Sequence, residues 1–204
     1  MASSPAVIVL AAGKGARFEG MQHKLEQSLG GSTVLGTTLR QVIASQMSVV
    51  VVTTAKLAAV ARAHVAARDV VVLPEVGSAG SDALGMGYSI SAGVSARPDA
   101  TGWLVLPGDM PLVQPATLMA VARELAHHAV VYAQHKGRRG HPVGFSAELY
   151  SELVALEGDD GARRLVARYP AFGIEVDDPG VLIDVDTQTD LESTRRLVSK
   201  ARVG

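Results

Sequence analysis

Apolar residues fall in two rhythms along this chain. Unbroken runs of β-branched and large aliphatic residues, Val7–Leu10, Val49–Thr53 and Val70–Leu73, read as strands buried on both faces, the pattern of a parallel sheet. Between them lie stretches at helical spacing. Leu35, Leu39, Val42 and Ile43 share one face of a helix predicted over about Val34–Gln46, with Ser32 and Thr33 placed to cap it, and Lys56–Ala67 reads as an alanine-rich helix. The second half continues the alternation. Tyr88–Val94 has helical spacing, Trp103–Pro107 is a strand, Ala116–His127 a helix, Ala129–Gln134 a strand, and a further helix ends at Glu157. Phe172–Val176 is the next strand, and Thr187 and Thr189 can cap a closing helix with Asp190 in its first turn. Across Val181–Asp186, Ile183 and Val185 point one way and Asp184 and Asp186 the other, as in a strand. Strands alternating with helices predict a three-layer α/β/α fold: a mostly parallel central sheet covered on both faces, with ligands meeting its carboxyl ends. At 204 residues, one domain spanning 1–204 suffices.

The loop after the first strand carries the first chemistry. Ala11 and Ala12 follow Leu10, and Gly13 and Gly15 bracket Lys14. Small residues just past a strand let the backbone approach a ligand, and its N–H groups can cradle phosphate oxygens. Arg17 and Lys24 add fixed positive charge within reach, an arrangement suited to a triphosphate. Two better-known phosphate loops fail on spacing. A Walker loop needs Lys-Ser/Thr after its second glycine, but Gly20 precedes Met21; a dinucleotide fingerprint needs a third glycine where Phe18 stands.

Three later segments add to this. Gly77–Gly87 is rich in Gly and Ser and reads either as a linker or as a second nucleotide-contacting loop at a helix start. Pro107-Gly108-Asp109 ends a strand with a carboxylate, which is either a turn residue or a hard oxygen ligand suited to Mg²⁺. The basic cluster Lys136, Arg138 and Arg139 is either a solvated hairpin tip or a loop that meets an anionic substrate.

Charge and composition narrow the partners. Lys and Arg number 19 against 20 acidic residues, so no global field favours nucleic acid or an anionic membrane. The absence of cysteine excludes disulfides, thiolate metal sites and cysteine nucleophiles. The apolar run near the start has no basic residue before it, which argues against a signal peptide, and no run reaches the roughly 18 apolar residues of a membrane span. A cytoplasmic location is expected.

Six strings, in order along the chain, resemble the MobA-like nucleotidyltransferases. They are Leu10-Ala-Ala-Gly-x-Gly-x-Arg17-Phe18 followed by Lys24; Gly85-Met86-Gly87-Tyr88-Ser89-Ile90 with Gly93; Pro107-Gly-Asp-Met-Pro111; Arg139-Gly-His-Pro-Val143; Gly158-Asp-x-Gly-Ala-Arg163; and Asp184-Val-Asp-Thr-x-x-Asp-Leu191. The first, fourth and fifth are most similar to the molybdenum cofactor cytidylyltransferase branch. The resemblance implies a Rossmann-like nucleotidyltransferase fold and transfer of CMP from CTP to the terminal phosphate of molybdopterin, with Mg²⁺ or Mn²⁺. It implies catalytic roles for Arg17, Lys24 and Asp109, and metal ligation by Asp109 and Asp186. Nucleotide or acceptor contacts are implied at Leu10, Ala11, Ala12, Gly13, Gly15, Gly85, Ser89, His141 and Asp159. Asp159 or Asp160 also suits a helix cap, so cap and contact both stand. Guanylyltransferases of the family have Leu-Ala-Gly-Gly at the first loop, so the Ala12 methyl favours the smaller pyrimidine. Transient contact with a molybdenum hydroxylase is a further expectation. Phe18 and Lys24 are more widely spaced than is usual in the family, and Glu26 stands where it commonly has an apolar residue. The alternatives are a nucleotidyltransferase for a sugar, polyol or other cofactor phosphate, or a non-catalytic module that handles a cofactor.

Overall fold

The computed structural model describes residues 4–13, 15, 18, 22–74 and 85–201. Arg17 and residues 77–84 of the second glycine-rich loop lie outside the described residues. In chain order the elements are β1 (Ala6–Ala11), the short β2 (Ser28–Leu29) and β3 (Ser32–Thr33), α1 (Val34–Ala44), β4 (Ser48–Thr54), α2 (Ala55–Arg62) and β5 (Val70–Leu73). There follow α3 (Met86–Ser95), β6 (Gly102–Pro107), α4 (Pro115–Glu124), β7 (Val130–His135), β8 (Arg138–Ser146), α5 (Tyr150–Val154), α6 (Arg163–Arg168), β9 (Ala171–Glu175) and α7 (Gln188–Ala201).

The main sheet has seven strands in the order β5-β4-β1-β6-β8-β7-β9, and β2 and β3 form a separate antiparallel pair. β1 pairs in parallel with β4 on one side and β6 on the other, so the chain reverses its direction of travel across the sheet between β1 and β6. A crevice opens outside the strand ends at such a switch point. β8 alone runs antiparallel to its neighbours, pairing Val143 with Val105 of β6, while β7 and β9 are parallel to each other. That reversal brings the start of β8, Arg138 to His141, to the edge where β1 and β6 end.

Strand alternation divides the core into the two outer contacts of a three-layer α/β/α fold. Val7 and Val9 of β1 pack with Leu35, Leu39, Leu104 and Leu118 on one face. Ala6 and Ile8 pack with Ile90, Val94, Trp103 and Phe145 on the other.

Several helices are shorter than expected. α1 stops at Ala44, just after the last residue of its apolar face, because Gln46 adopts a left-handed φ of 60°. Thr33 caps that helix as expected, its hydroxyl accepting from Gly36 N at 2.9 Å. The strand expected across Val181–Asp186 is not formed. Asp178-Pro179-Gly180 closes a 3-10 turn over Pro179–Leu182, and local turn chemistry wins over the alternating pattern. The side chains still sort as predicted, with Val185 fully buried and Asp186 on the cleft side. The expected cap by Asp159 or Asp160 is also absent. α6 begins only at Arg163, its N-cap is Ala162, and Gly161 at a φ of 55° separates it from Asp160.

Candidate active site

A cleft of about 1300 Å³ opens at the carboxyl ends of β1 and β6. Its first wall is the loop leaving β1, with Leu10, Ala11, Ala12, Gly13 and Gly15 along it. The floor is the Pro107–Met110 turn after β6. Opposite lie Arg138, Arg139, Gly140 and His141 of β8, with Gly85 before α3, Ser89 of α3 and the Asp159–Arg163 turn closing one end and Asp184 and Asp186 the other. Every site residue expected from the sequence borders this cleft, except Arg17, which is not described.

At the floor, Lys24 joins two distant segments. Its Nζ lies 2.5 Å from Asp109 Oδ2 and 2.5 Å from Asp186 Oδ1. The three side chains are 12–16 % exposed. Burial works against the ammonium charge, but the Asp109 and Asp186 carboxylates outweigh it and raise the lysine above its ordinary pKa. Asp184 also borders the cleft, and its carboxyl is pushed up, first by desolvation and then by the negative charges of Asp186 and Asp109. Negative charge is therefore in excess around a single described ammonium.

This arrangement fits a divalent cation. Asp109 Oδ1 is buried and has no hydrogen-bond partner among the described residues. Asp109 Oδ2 and Asp186 Oδ1 approach one nitrogen closely enough for one ion to bridge them. Among the described residues no group of three or more acidic, histidine or cysteine side chains could hold an ion alone. Two carboxylates with the remaining ligands drawn from water and substrate phosphate is a coordination typical of Mg²⁺.

His23 belongs to none of the motifs, although its spacing to Glu26 is that of a capping box. Leu25 N donates to His23 Nδ1 at 3.2 Å, and His23 N donates to Glu26 Oε2 at 3.3 Å. With Nδ1 accepting, Nε2 carries the proton and donates to Gly13 O at 3.0 Å. The imidazole thus ties Gly13, on the first wall, to the turn that carries Lys24, and Glu26 gains a structural reason for departing from an apolar residue.

On the far wall, Lys136 and Gly137 form the two-residue tip of the β7–β8 hairpin, with φ of 52° and 71°. Lys136 does not border the cleft, whereas Arg138 and Arg139 do, so the basic cluster divides between the two readings. The Arg139 guanidinium lies over the Tyr132 ring, 4.3 Å from its centroid. Burial lowers the pKa of His141, opposed by a hydrogen bond to the Val105 backbone and by the Asp109 charge. His141 Nδ1 is buried and has no hydrogen-bond partner among the described residues.

The Gly85-Met86-Gly87 string has a packing role beside any ligand contact. Gly87 N donates to Gly158 O at 2.8 Å. A Cβ at Gly85 would sit 2.2 Å from Gly158 O, and one at Gly87 2.5 Å from Glu157 O. Glycine is required there because two backbones touch, and the contact joins the start of α3 to the Asp159–Arg163 turn.

The sequence signature of the MobA-like NTP transferase domain matches residues 7–172. The bifunctional protein GlmU of Alkalilimnicola ehrlichii is 35% identical over 127 residues, 61% of this chain and 26% of GlmU. The purine catabolism protein PucB of Bacillus subtilis is 31% identical over 120 residues, 56% of this chain and 58% of PucB. The matched region thus spans about a quarter of the first relative and somewhat over half of the second. Among solved structures, Rv0371c from Mycobacterium tuberculosis H37Rv superposes with a TM-score of 0.80 at 28% identity, covering 96% of this chain and 99% of that one. A manganese complex of Rv0371c superposes with a TM-score of 0.74 at 29% identity, covering 95% and 99%.

Proposed function

The chain belongs to the MobA-like NTP transferase family and is a nucleotidyltransferase, and from that premise we propose that it transfers CMP from CTP to the terminal phosphate of molybdopterin, releasing pyrophosphate. The observation that carries the reading is Lys24 held between Asp109 and Asp186, on the floor of a cleft with a glycine loop on one side and arginines on the other.

The chemistry asks little of acid–base groups. An oxygen of the acceptor phosphate attacks the α-phosphorus of CTP, a new P–O–P linkage forms, the α–β anhydride bond breaks, and pyrophosphate leaves with the electron pair. The barrier is repulsion between anions and charge growing on the leaving group, which positioning and fixed cations reduce. The backbone of Leu10, Ala11, Ala12, Gly13 and Gly15 cradles the nucleotide, with Gly85 and Ser89 beside it. Arg138 and Arg139 draw in the phosphorylated acceptor, and His141 and Asp159 orient it. Asp109 and Asp186 would hold Mg²⁺ or Mn²⁺, which supplies charge neutralisation to the triphosphate when bound. Lys24 now neutralises the same two carboxylates, and with an ion held there its ammonium would be available to the triphosphate. Arg17, which lies outside the described residues, is the further cation that the family resemblance assigns to the nucleotide. A transient complex with a molybdenum hydroxylase would receive the product.

Choice of CTP rests on Ala12, whose methyl narrows the space for a base. One methyl-sized difference is worth only about 1–3 kcal/mol, so the discrimination is modest. Pyrophosphate release should be measured with each of the four nucleoside triphosphates against molybdopterin and against sugar and polyol phosphates. Release with CTP and molybdopterin alone supports the reading. Preference for GTP, or turnover only with a sugar or polyol phosphate, overturns it. Ala12→Gly should narrow the CTP preference; an unchanged preference clears Ala12 of the role.

A further inference from the structure

Asp178 is neither in a motif nor in the cleft, yet it is among the most deeply buried charged residues described, at 2 % exposure. A buried carboxylate persists only when its oxygens are satisfied, and here three neutral donors satisfy them. Gln114 N donates to Oδ2 at 2.8 Å, Thr117 Oγ1 donates to the same oxygen at 2.6 Å, and Gly180 N donates to Oδ1 at 2.9 Å. The first two belong to the start of α4 and the third to Asp178's own turn. One side chain therefore joins its own turn to the start of α4, where its two partners lie 64 and 61 residues away in sequence.

Those segments carry the two carboxylates of the site. Gln114 ends the loop that begins at Asp109, and the turn after Asp178 leads to Asp186. A second tie lies at the cleft end, where Val185 N donates to Asp109 O at 2.9 Å. Between the two ties the backbones touch: a Cβ at Gly180 would lie 2.3 Å from Leu112 O. Asp186 gains no place from a sheet, since no strand forms from 178 to 186. Its position relative to Asp109 depends on these ties.

We infer that Asp178 is a positioning residue for the acidic pair, setting the separation of Asp186 from Asp109 and hence the affinity of the site for a divalent cation. The inference rests on the reading of Asp109 and Asp186 as metal ligands. Groups that orient ligands without touching the metal typically cost about 10- to 100-fold in metal affinity when removed. Mn²⁺ binding to the full chain, followed by electron paramagnetic resonance, tests it without reference to turnover. Asp178→Ala should weaken Mn²⁺ binding by roughly tenfold or more. Asp178→Asn, nearly isosteric, should fold even if the alanine variant does not and lose less. Thr117→Val, which removes one donor of three, should lose least. Val94→Ala, a core truncation on the opposite face of the sheet, serves as a destabilised control. Failure of the wild type to bind Mn²⁺ removes the metal reading itself. Wild-type Mn²⁺ affinity in folded Asp178→Asn and Thr117→Val, or an equal loss in Val94→Ala, overturns the positioning role alone.

Discussion

Asp109 and Asp186 face the same ammonium from segments built in opposite ways. Asp109 stands two residues beyond β6, a central strand, and the backbone beside it is bonded on two sides. Gly108 N donates to Leu10 O at 2.8 Å, and the fully buried Thr38 donates to Gly108 O at 2.8 Å. Asp186 stands on an extended segment with no ladder of its own. It is held by the Asp178 tie, by Val185 N on Asp109 O, and by a reciprocal cap at the start of α7. There the Asp190 carboxylate accepts from Thr187 N at 2.8 Å and Thr187 Oγ1 at 2.6 Å, while Asp190 N donates to Thr187 Oγ1 at 3.2 Å. The comparison teaches that a strand end places a carboxylate through the sheet, whereas a carboxylate beyond the sheet needs side chains dedicated to placing it. In such a site the second carboxylate's environment is the easier one to disturb.

The largest effect should come from removing either member of the pair. Asp109→Ala and Asp186→Ala are each expected to lower turnover by at least roughly a hundredfold while the fold is kept. Wild-type rates at saturating Mg²⁺ for either variant would exclude it from the reaction. Next, Thr38→Val probes the sheet-side support of Asp109. It removes the hydroxyl from a buried carbonyl at nearly constant volume, which should cost about 1–3 kcal/mol of stability by calorimetry. No change would mean that Gly108 O finds another donor.

Lys24→Met sharpens the comparison from the middle, since the ammonium bridges both segments. Without it, Mn²⁺ should bind the nucleotide-free protein about tenfold more tightly, because a like charge has left the site. Weaker binding would show that Lys24 assembles the carboxylates instead of competing for them. The smallest effect is expected at the Asp186 side. Thr187→Ala should cost about 1 kcal/mol, typical of a lost cap. The hydrogen bond from the Thr187 hydroxyl leads the causes that hold Asp190 below its ordinary pKa. Its folded value is thus below the unfolded one, near 3.9, so the stabilisation is complete above that pH and is lost as pH falls through the folded value. The stability gap between wild type and Asp190→Asn should therefore stand at pH 7 and close on acidification below about pH 4; a gap that persists in acid would refute the cap's electrostatic part.

Much of this was legible in the residues themselves. Val7–Leu10 and Trp103–Pro107 announce buried strands through unbroken apolar runs, and Gly13, Gly15 and Asp109 follow them where strand ends meet a ligand. Thr33 capped its helix as its position suggested. Where local chemistry competes with periodicity, the local chemistry prevails. Pro179 and Gly180 bent Val181–Leu182 into a turn despite an alternating pattern, and Gly161 moved the start of α6 past both aspartates.

What the chain determined alone is therefore local: strands, most helices, turn positions, and the residue types able to hold phosphate or metal. These follow from side-chain period and backbone freedom over a few residues. The tertiary structure decided which of them meet. Lys24 reaches Asp109 across 85 positions and Asp186 across 162, and no local pattern encodes either contact. The antiparallel direction of β8 brings Arg139 and His141 to the ends of parallel strands, a consequence of sheet order. Asp178 stands outside every motif because its role lies in hydrogen bonds to Gln114 and Thr117, which exist only once α4 and the 3-10 turn are packed together.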